Sequence, residues 1–314
     1  MWHRIALIFT VVGFLTLPAG AEKKDKIVVG FSQIGAENPW RTAETKSIRD
    51  EATKRGVDMK FSDAQGKQEA QVQAIRSFIT QHVDAIILAP KVETGWESVL
   101  KDAKRAKIPV ILVDRGIKVS DDSLYTTLIA SDFVAEGRMA GEWLAKKMNG
   151  KANIAELQGT PGAAPAIDRQ KGFAQAIAAF PDMKIIKSQT GDFDTGKGKQ
   201  AMEAFLKAEG KNINAVYAHN DAMALGAIQA IEEAGLKPGV DITIVSIDGI
   251  KDAFSAMVDG KLNCTVECSP LLGPAAFDAI EAVLGGKTIE KNTITKDGMF
   301  DQSQAAAVIS SRQY

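Results

Sequence analysis

Very little in this chain marks it for chemistry. Among 314 residues there are 2 cysteines, 3 histidines and only 6% aromatics. Cys264 and Cys268 stand four apart, which on an extended strand is roughly 13 Å, beyond disulfide reach. Two separate packed thiols are therefore expected, and CxxxC without histidine partners is a poor metal pattern. His82 and His219 lie far apart in sequence, and no GxSxG or HExxH is present. A net charge of −1 with no basic block excludes an electrostatic footprint for nucleic acid. Past residue 17 no stretch is apolar for long enough to span a bilayer.

What is present begins at the N-terminus. Arg4 precedes a charge-free run from Ile5 to Leu17, which ends in Pro18-Ala19-Gly20-Ala21, an A-x-A-type cleavage site. Residues 1–21 are thus expected to be a cleaved signal peptide, placing the mature chain in the periplasm. Their loss removes one arginine and no acid, taking the net charge from −1 to −2. The remainder is long enough for two domains of ordinary size.

From Lys26 onward, short β-rich apolar runs alternate with helical stretches. Strands are expected at Ile27–Ser32, Val57–Ser62, Ala85–Ala89 and Pro109–Val113, with helices at Arg41–Lys54, Lys67–Gln81 and Glu97–Ala106. A second series places strands at Ala152–Leu157, Lys184–Ser188, Ala215–Ala218 and Ile242–Ile247. Its helices are Ala164–Ala179, Gly198–Lys207 and Ala222–Ala234, and the stretch Asp114–Asp132 joins the two series. Continuous apolar strands alternating with helices mean parallel sheets covered on both faces, here two doubly wound α/β lobes. Ligands in such sheets bind beyond the carboxyl ends of the strands.

Those ends carry Glu37-Asn38-Pro39-Trp40-Arg41, Asp114-Arg115, Asp168-Arg169, His219-Asn220-Asp221, Asp248-Gly249 and Glu267. Each has a bland reading: Asn38 or Asp221 as a helix N-cap, Trp40 as core, Asp114-Arg115 as a surface pair. Together they put planar donors and acceptors and an aromatic at the mouths of both sheets, a set that suits the hydroxyls and C–H faces of a sugar. Gly191–Gly198 matches GxxxxGK but lacks the following Ser or Thr, and Asp192 and Asp194 would repel phosphate. Asp192-x-Asp194 does not continue as a calcium loop. The carboxylates are interleaved with Arg and Asn rather than flanking one bond, so no glycoside hydrolase is expected, and the reading is of a binder without enzymatic activity, cofactor or metal.

The runs Gly30-Phe31-Ser32-Gln33, Asn38-Pro39-Trp40, Val113-Asp114-Arg115, His219–Gly226 and Ile247-Asp248-Gly249 resemble the ribose/galactose class of periplasmic sugar-binding proteins. The resemblance runs over essentially the whole mature chain. Within that class, Glu37, Trp40–Thr45, Thr94–Glu97, Glu156–Thr160 and Ser246–Gly249 are most similar to the galactofuranose-binding branch that serves ABC importers. Asn38-Pro39 departs from that branch and is ribose-like.

The resemblance implies a type I periplasmic binding protein fold, with two lobes joined by three crossovers near Tyr125–Ser131, Ile250–Cys268 and Thr293–Phe300. The first lobe would span 22–128, completed by about 268–295. The second would span 129–267, completed by about 296–314. It further implies that Trp40 and Phe193 sandwich a sugar ring. Glu37, Asn38, Arg41, Asp114 and Arg115 would bind from one lobe, Arg169, Asn220 and Asp248 from the other, and Glu267 beside the cleft. Arg41 replaces a second aromatic of ribose binders, pointing to a hydroxyl-rich aldose with galactofuranose favoured. The expected partners are an ABC permease and its ATPase, and the expected state is a monomer. The alternatives are a sugar-sensing co-receptor for a signalling protein, or a binder of ribose or galactopyranose.

Overall fold

The structure, a computed structural model, describes residues 26–314; the expected signal peptide lies outside them. The chain begins with β1 (Val28–Gln33), α1 (Pro39–Lys54), β2 (Asp58–Asp63), α2 (Gln68–Thr80), β3 (Ala85–Leu88), α3 (Glu97–Arg105), β4 (Val110–Val113) and β5 (Thr127–Ala130). It continues with α4 (Phe133–Lys147), β6 (Lys151–Gln158), α5 (Ala164–Ile177), β7 (Asp182–Thr190), α6 (Thr195–Glu209), β8 (Ala215–Ala218), α7 (Asp221–Glu233) and β9 (Thr243–Asp248). The last part holds α8 (Lys251–Val258), β10 (Cys264–Glu267), α9 (Gly273–Leu284), β11 (Asn292–Ile294), β12 (Met299–Asp301) and α10 (Gln302–Val308).

Two six-stranded sheets result, ordered β11-β5-β4-β3-β1-β2 and β12-β10-β9-β8-β6-β7. Every pairing in the first is parallel; in the second only β12, against β10, runs antiparallel. Central strands such as Ala-Ile-Ile-Leu in β3 and Val-Ile-Leu-Val in β4 are buried throughout. Helices on both faces take up their apolar side chains, which is why these strands lack alternation. Ile48, Ala52, Phe277 and Ile280 from α1 and α9 cover one face of the first sheet, and Ile75, Phe78, Val99 and Leu100 from α2 and α3 the other.

The fold is thus a type I periplasmic binding protein fold of two doubly wound lobes. Two local expectations need correction. The stretch read as a plain connector, Asp114–Asp132, contains β5, a fifth parallel strand of the first sheet. The second passage between lobes is not spread over Ile250–Cys268, because α8 and β10 belong to the second lobe. The chain crosses after Ala130, after Glu267 and after Ile294, each time within a few residues. Both cysteines are buried free thiols, as their spacing suggested, Cys264 inside β10 and Cys268 at the second crossing.

Candidate functional site

The carboxyl ends of the two sheets face each other across a narrow cavity. It is lined by Asn38, Trp40, Arg41, Asp114, Arg115, Pro165, Arg169, Phe193, Asn220 and Asp248. Nine of the expected residues meet here; Pro165, in the first turn of α5, was not anticipated.

Asn38 and Asn220 do two jobs each. Asn38 Oδ1 caps α1 by accepting from Arg41 N (2.9 Å), and Asn220 Oδ1 caps α7 by accepting from Met223 N (3.0 Å). Their amide nitrogens both donate to the Phe193 carbonyl, at 3.0 and 3.3 Å. Each NH₂ keeps a second hydrogen for a ligand. The bond from Asn38 joins the lobes, as does Glu93 N to Gly162 O at 2.9 Å. The cap of α7 is Asn220, not Asp221: Asp221 is buried and accepts from Ser246, Thr265 and Ile250 N.

Trp40 is buried, as the bland reading had it, yet it lines the cavity. Its indole N–H is committed to the Cys268 carbonyl at 2.6 Å, leaving only the ring for a ligand. Opposite, Phe193 holds φ at 61°, Asp114 at 62° and Asp248 at 125°. Left-handed backbone at three non-glycine cavity residues is strain of the kind found where a site dictates side-chain direction.

Every cavity guanidinium already has a carboxylate. Arg41 contacts Asp114 (2.6 Å), Glu44 (2.5 Å) and Glu37 (3.3 Å). Arg115 lies 3.4 Å from Asp114 and 3.7 Å from Glu37, and donates to Lys91 O. Arg169 pairs with Glu136 (2.7 Å), donates to His219 O (2.7 Å), and stands 3.5 Å from Asp248. Burial pushes Asp248 well above the carboxylate range against the pull of Arg169, and raises Glu44 despite Arg41. Burial works the same way on Glu37, but Arg41 and Arg115 outweigh it and hold that carboxyl low. Glu37 touches the cavity only through these arginines. Glu44, three residues from Arg41, and Glu136, remote in sequence, were not singled out; helical spacing could have flagged the first.

Glu267 is not brought to the cavity. It ends β10, where Oε1 accepts from Arg312 Nη1 at 2.6 Å and Oε2 from Gly298 N at 3.2 Å. It braces the third crossing against the tail. His219 sits beneath the site between Glu156 (3.3 Å) and Gly159 N (3.3 Å), and burial keeps its pKa low. The GxxxxGK look-alike is the turn from β7 into α6 that presents Phe193. No His/Cys/Asp/Glu group among the described residues could hold a metal ion.

Residues 29–288 match the family model for a periplasmic binding protein domain. The galactofuranose-binding protein YtfQ of Escherichia coli K12 is 53% identical over 304 residues, covering 96% of this chain and 95% of its own. The periplasmic component of the arabinose ABC transporter of Shewanella sp. ANA-3, solved with α- and β-L-arabinofuranose, is 59% identical. It superposes with a TM-score of 0.89 over 91% of this chain and 95% of its own. A Mycobacterium smegmatis protein solved with β-D-fucofuranose is 51% identical, with a TM-score of 0.90 over 92% and 95%.

Proposed function

Because this chain belongs to the periplasmic binding protein family, we propose that it is the solute-binding component of an ABC sugar importer, holding one furanose monosaccharide between its lobes. The observation that carries the reading is an interlobe cavity in which three guanidiniums are already paired with carboxylates. Paired charges leave no net attraction for an anion, but they offer a fixed lattice of donors and acceptors to a neutral polyol. Asn38, Arg41, Asp114, Arg115, Arg169, Asn220 and Asp248 take the hydroxyls, while Trp40 and Phe193 meet the C–H faces. Glu37 steadies Arg41 and Arg115. Three relatives that bind or were solved with furanoses favour the five-membered ring, galactofuranose first and L-arabinofuranose next.

The mechanism is closure without chemistry. Contacts from both lobes exist together only when the cleft is shut, so the sugar shifts the population toward the closed form. The closed faces then present the sugar to a permease and its ATPase. The mature protein acts as a periplasmic monomer released from a signal peptide at Ala21. Calorimetric titration with furanose-forming aldoses, D-galactose and L-arabinose, alongside D-ribose, tests the reading. Micromolar or tighter binding of one of them supports it; no heat from any pentose or hexose removes it.

A further inference from the structure

One buried carboxylate outside the cavity wall connects the site to all three crossings. Glu136 lies in the first turn of α4, just past the first crossing, and is fully buried. Its Oε2 accepts from Arg169 Nε at 2.7 Å, and its Oε1 has no hydrogen-bond partner among the described residues. The Cys268 thiol of the second crossing favours the ionised carboxylate and Asp297 of the third opposes it. Ser131, on the first crossing, closes the set: its Oγ lies 3.4 Å from Cys268 Sγ and 2.9 Å from Thr295 Oγ1. The helices carrying Glu136 and Arg169 pack backbone to backbone. A Cβ on Gly137 would meet the Arg169 carbonyl at 2.1 Å, and one on Gly172 the Val134 carbonyl at 2.0 Å.

We propose that Glu136 is a positioning residue for ligand binding, setting the Arg169 guanidinium for the sugar and tying that placement to the three crossings. Lobe closure and presentation of the arginine are then one event. The inference rests on the sugar-binding reading of the cavity. The groups facing Glu136 are Arg169 from α5, Tyr217 from β8, Asp248 at the end of β9, and Cys268 and Asp297 from the crossings. Burial, against the pull of Arg169, pushes Glu136 up to about 7. Protonation there removes the negative charge that holds the Arg169 guanidinium, leaving a weaker bond from the cation to a neutral carboxyl, so binding weakens as pH falls through neutrality.

The test is calorimetric titration of wild type, Glu136→Gln and Glu136→Asp with L-arabinose and D-galactose from about pH 6 to pH 8, with ligand-free melting measured in parallel. Wild type is expected to bind up to about tenfold more weakly at the acid end, the effect of a one-unit pKa change on binding. Glu136→Gln is expected to lose about tenfold or more at pH 8 and to show a flat profile, while Glu136→Asp binds more weakly but keeps the slope. A Gln variant with wild-type affinity and slope overturns the proposal. If the Gln variant does not fold, Glu136→Asp decides, and wild-type affinity with a flat profile in that variant overturns it. Wild type binding neither these sugars nor any other removes the sugar reading itself, a result distinct from normal binding by an unaffected variant.

Discussion

Asp248 holds φ at 125°, a conformation that costs an L-residue about 1–3 kcal/mol, and burial drives its carboxyl toward the neutral form. Both penalties are tolerated because the side chain must reach the cavity and Arg169. Asp248→Gly is therefore expected to leave the ligand-free melting temperature unchanged or raised, while abolishing the sugar-induced rise; a lowered melting temperature with full binding would contradict this. Arg169 is the converse case. Its removal strands the Glu136 carboxylate and loosens Asp248 as well as losing its own contact. Arg169→Ala is expected to weaken binding by about 2–5 kcal/mol in calorimetry, and an affinity within twofold of wild type would take Arg169 out of the site. The residue identities were legible at strand ends, but Glu267 shows the limit of position alone. A carboxylate at the mouth of a sheet can be turned to a neighbour, here Arg312, that lies 45 residues away in sequence.

The helix pairs that deliver the site are locked by bare glycines. Gly137 and Gly172 let α4 and α5 touch backbone to backbone under Arg169, and at Gly226 a Cβ would stand 2.1 Å from Thr195 O, so only glycine lets α7 sit this close to the start of α6. The α6–α7 contact flanks both Phe193 and Asn220. Gly172→Val forces α4 and α5 apart and is expected to cost about 1–3 kcal/mol of stability by overpacking, read as a shift of the denaturant midpoint, with a parallel loss of sugar affinity. A variant of normal stability and affinity would mean that the pair is not rigid. The elements themselves followed apolar period well where runs were strong, as in β3, β4 and β8. β5, Thr-Leu-Ile-Ala, was hidden because it opens on a polar residue directly after the polar stretch Ser120–Thr126. α4 was hidden because Gly137 and Gly141, needed for its close crossing, dilute its helical pattern.

Across the whole molecule, buried carboxyls set how stability answers to pH. Burial raises Glu136 to about 7 and Asp221 and Asp297 to about 6. The native state then holds more protons than the unfolded one, so their stabilising contribution is full below about pH 4 and lost as pH climbs through 6 to 7. Glu156 does the opposite. Burial would raise it, but His219 and Ser188 bring it to about 2, so its contribution is present above about pH 4.5 and lost on acidification toward pH 2. The ligand-free melting temperature is expected to be highest near about pH 4 and to fall on both sides; a steady rise from pH 5 to 7 would contradict these assignments. The sequence by itself determined the two α/β lobes, the alternation that makes their sheets parallel, and the polar and aromatic residues at the strand ends, because apolar period and local turn chemistry act over a few residues. Only the tertiary structure decided which of those residues share one cavity, that Asn38 and Asn220 grip a single carbonyl from opposite lobes, that Glu267 faces the tail, and that Glu136 stands between Arg169 and the crossings. Those contacts join segments tens to more than a hundred residues apart, and a buried charge chooses its partner by where the packed backbone leaves it, not by its neighbours in sequence.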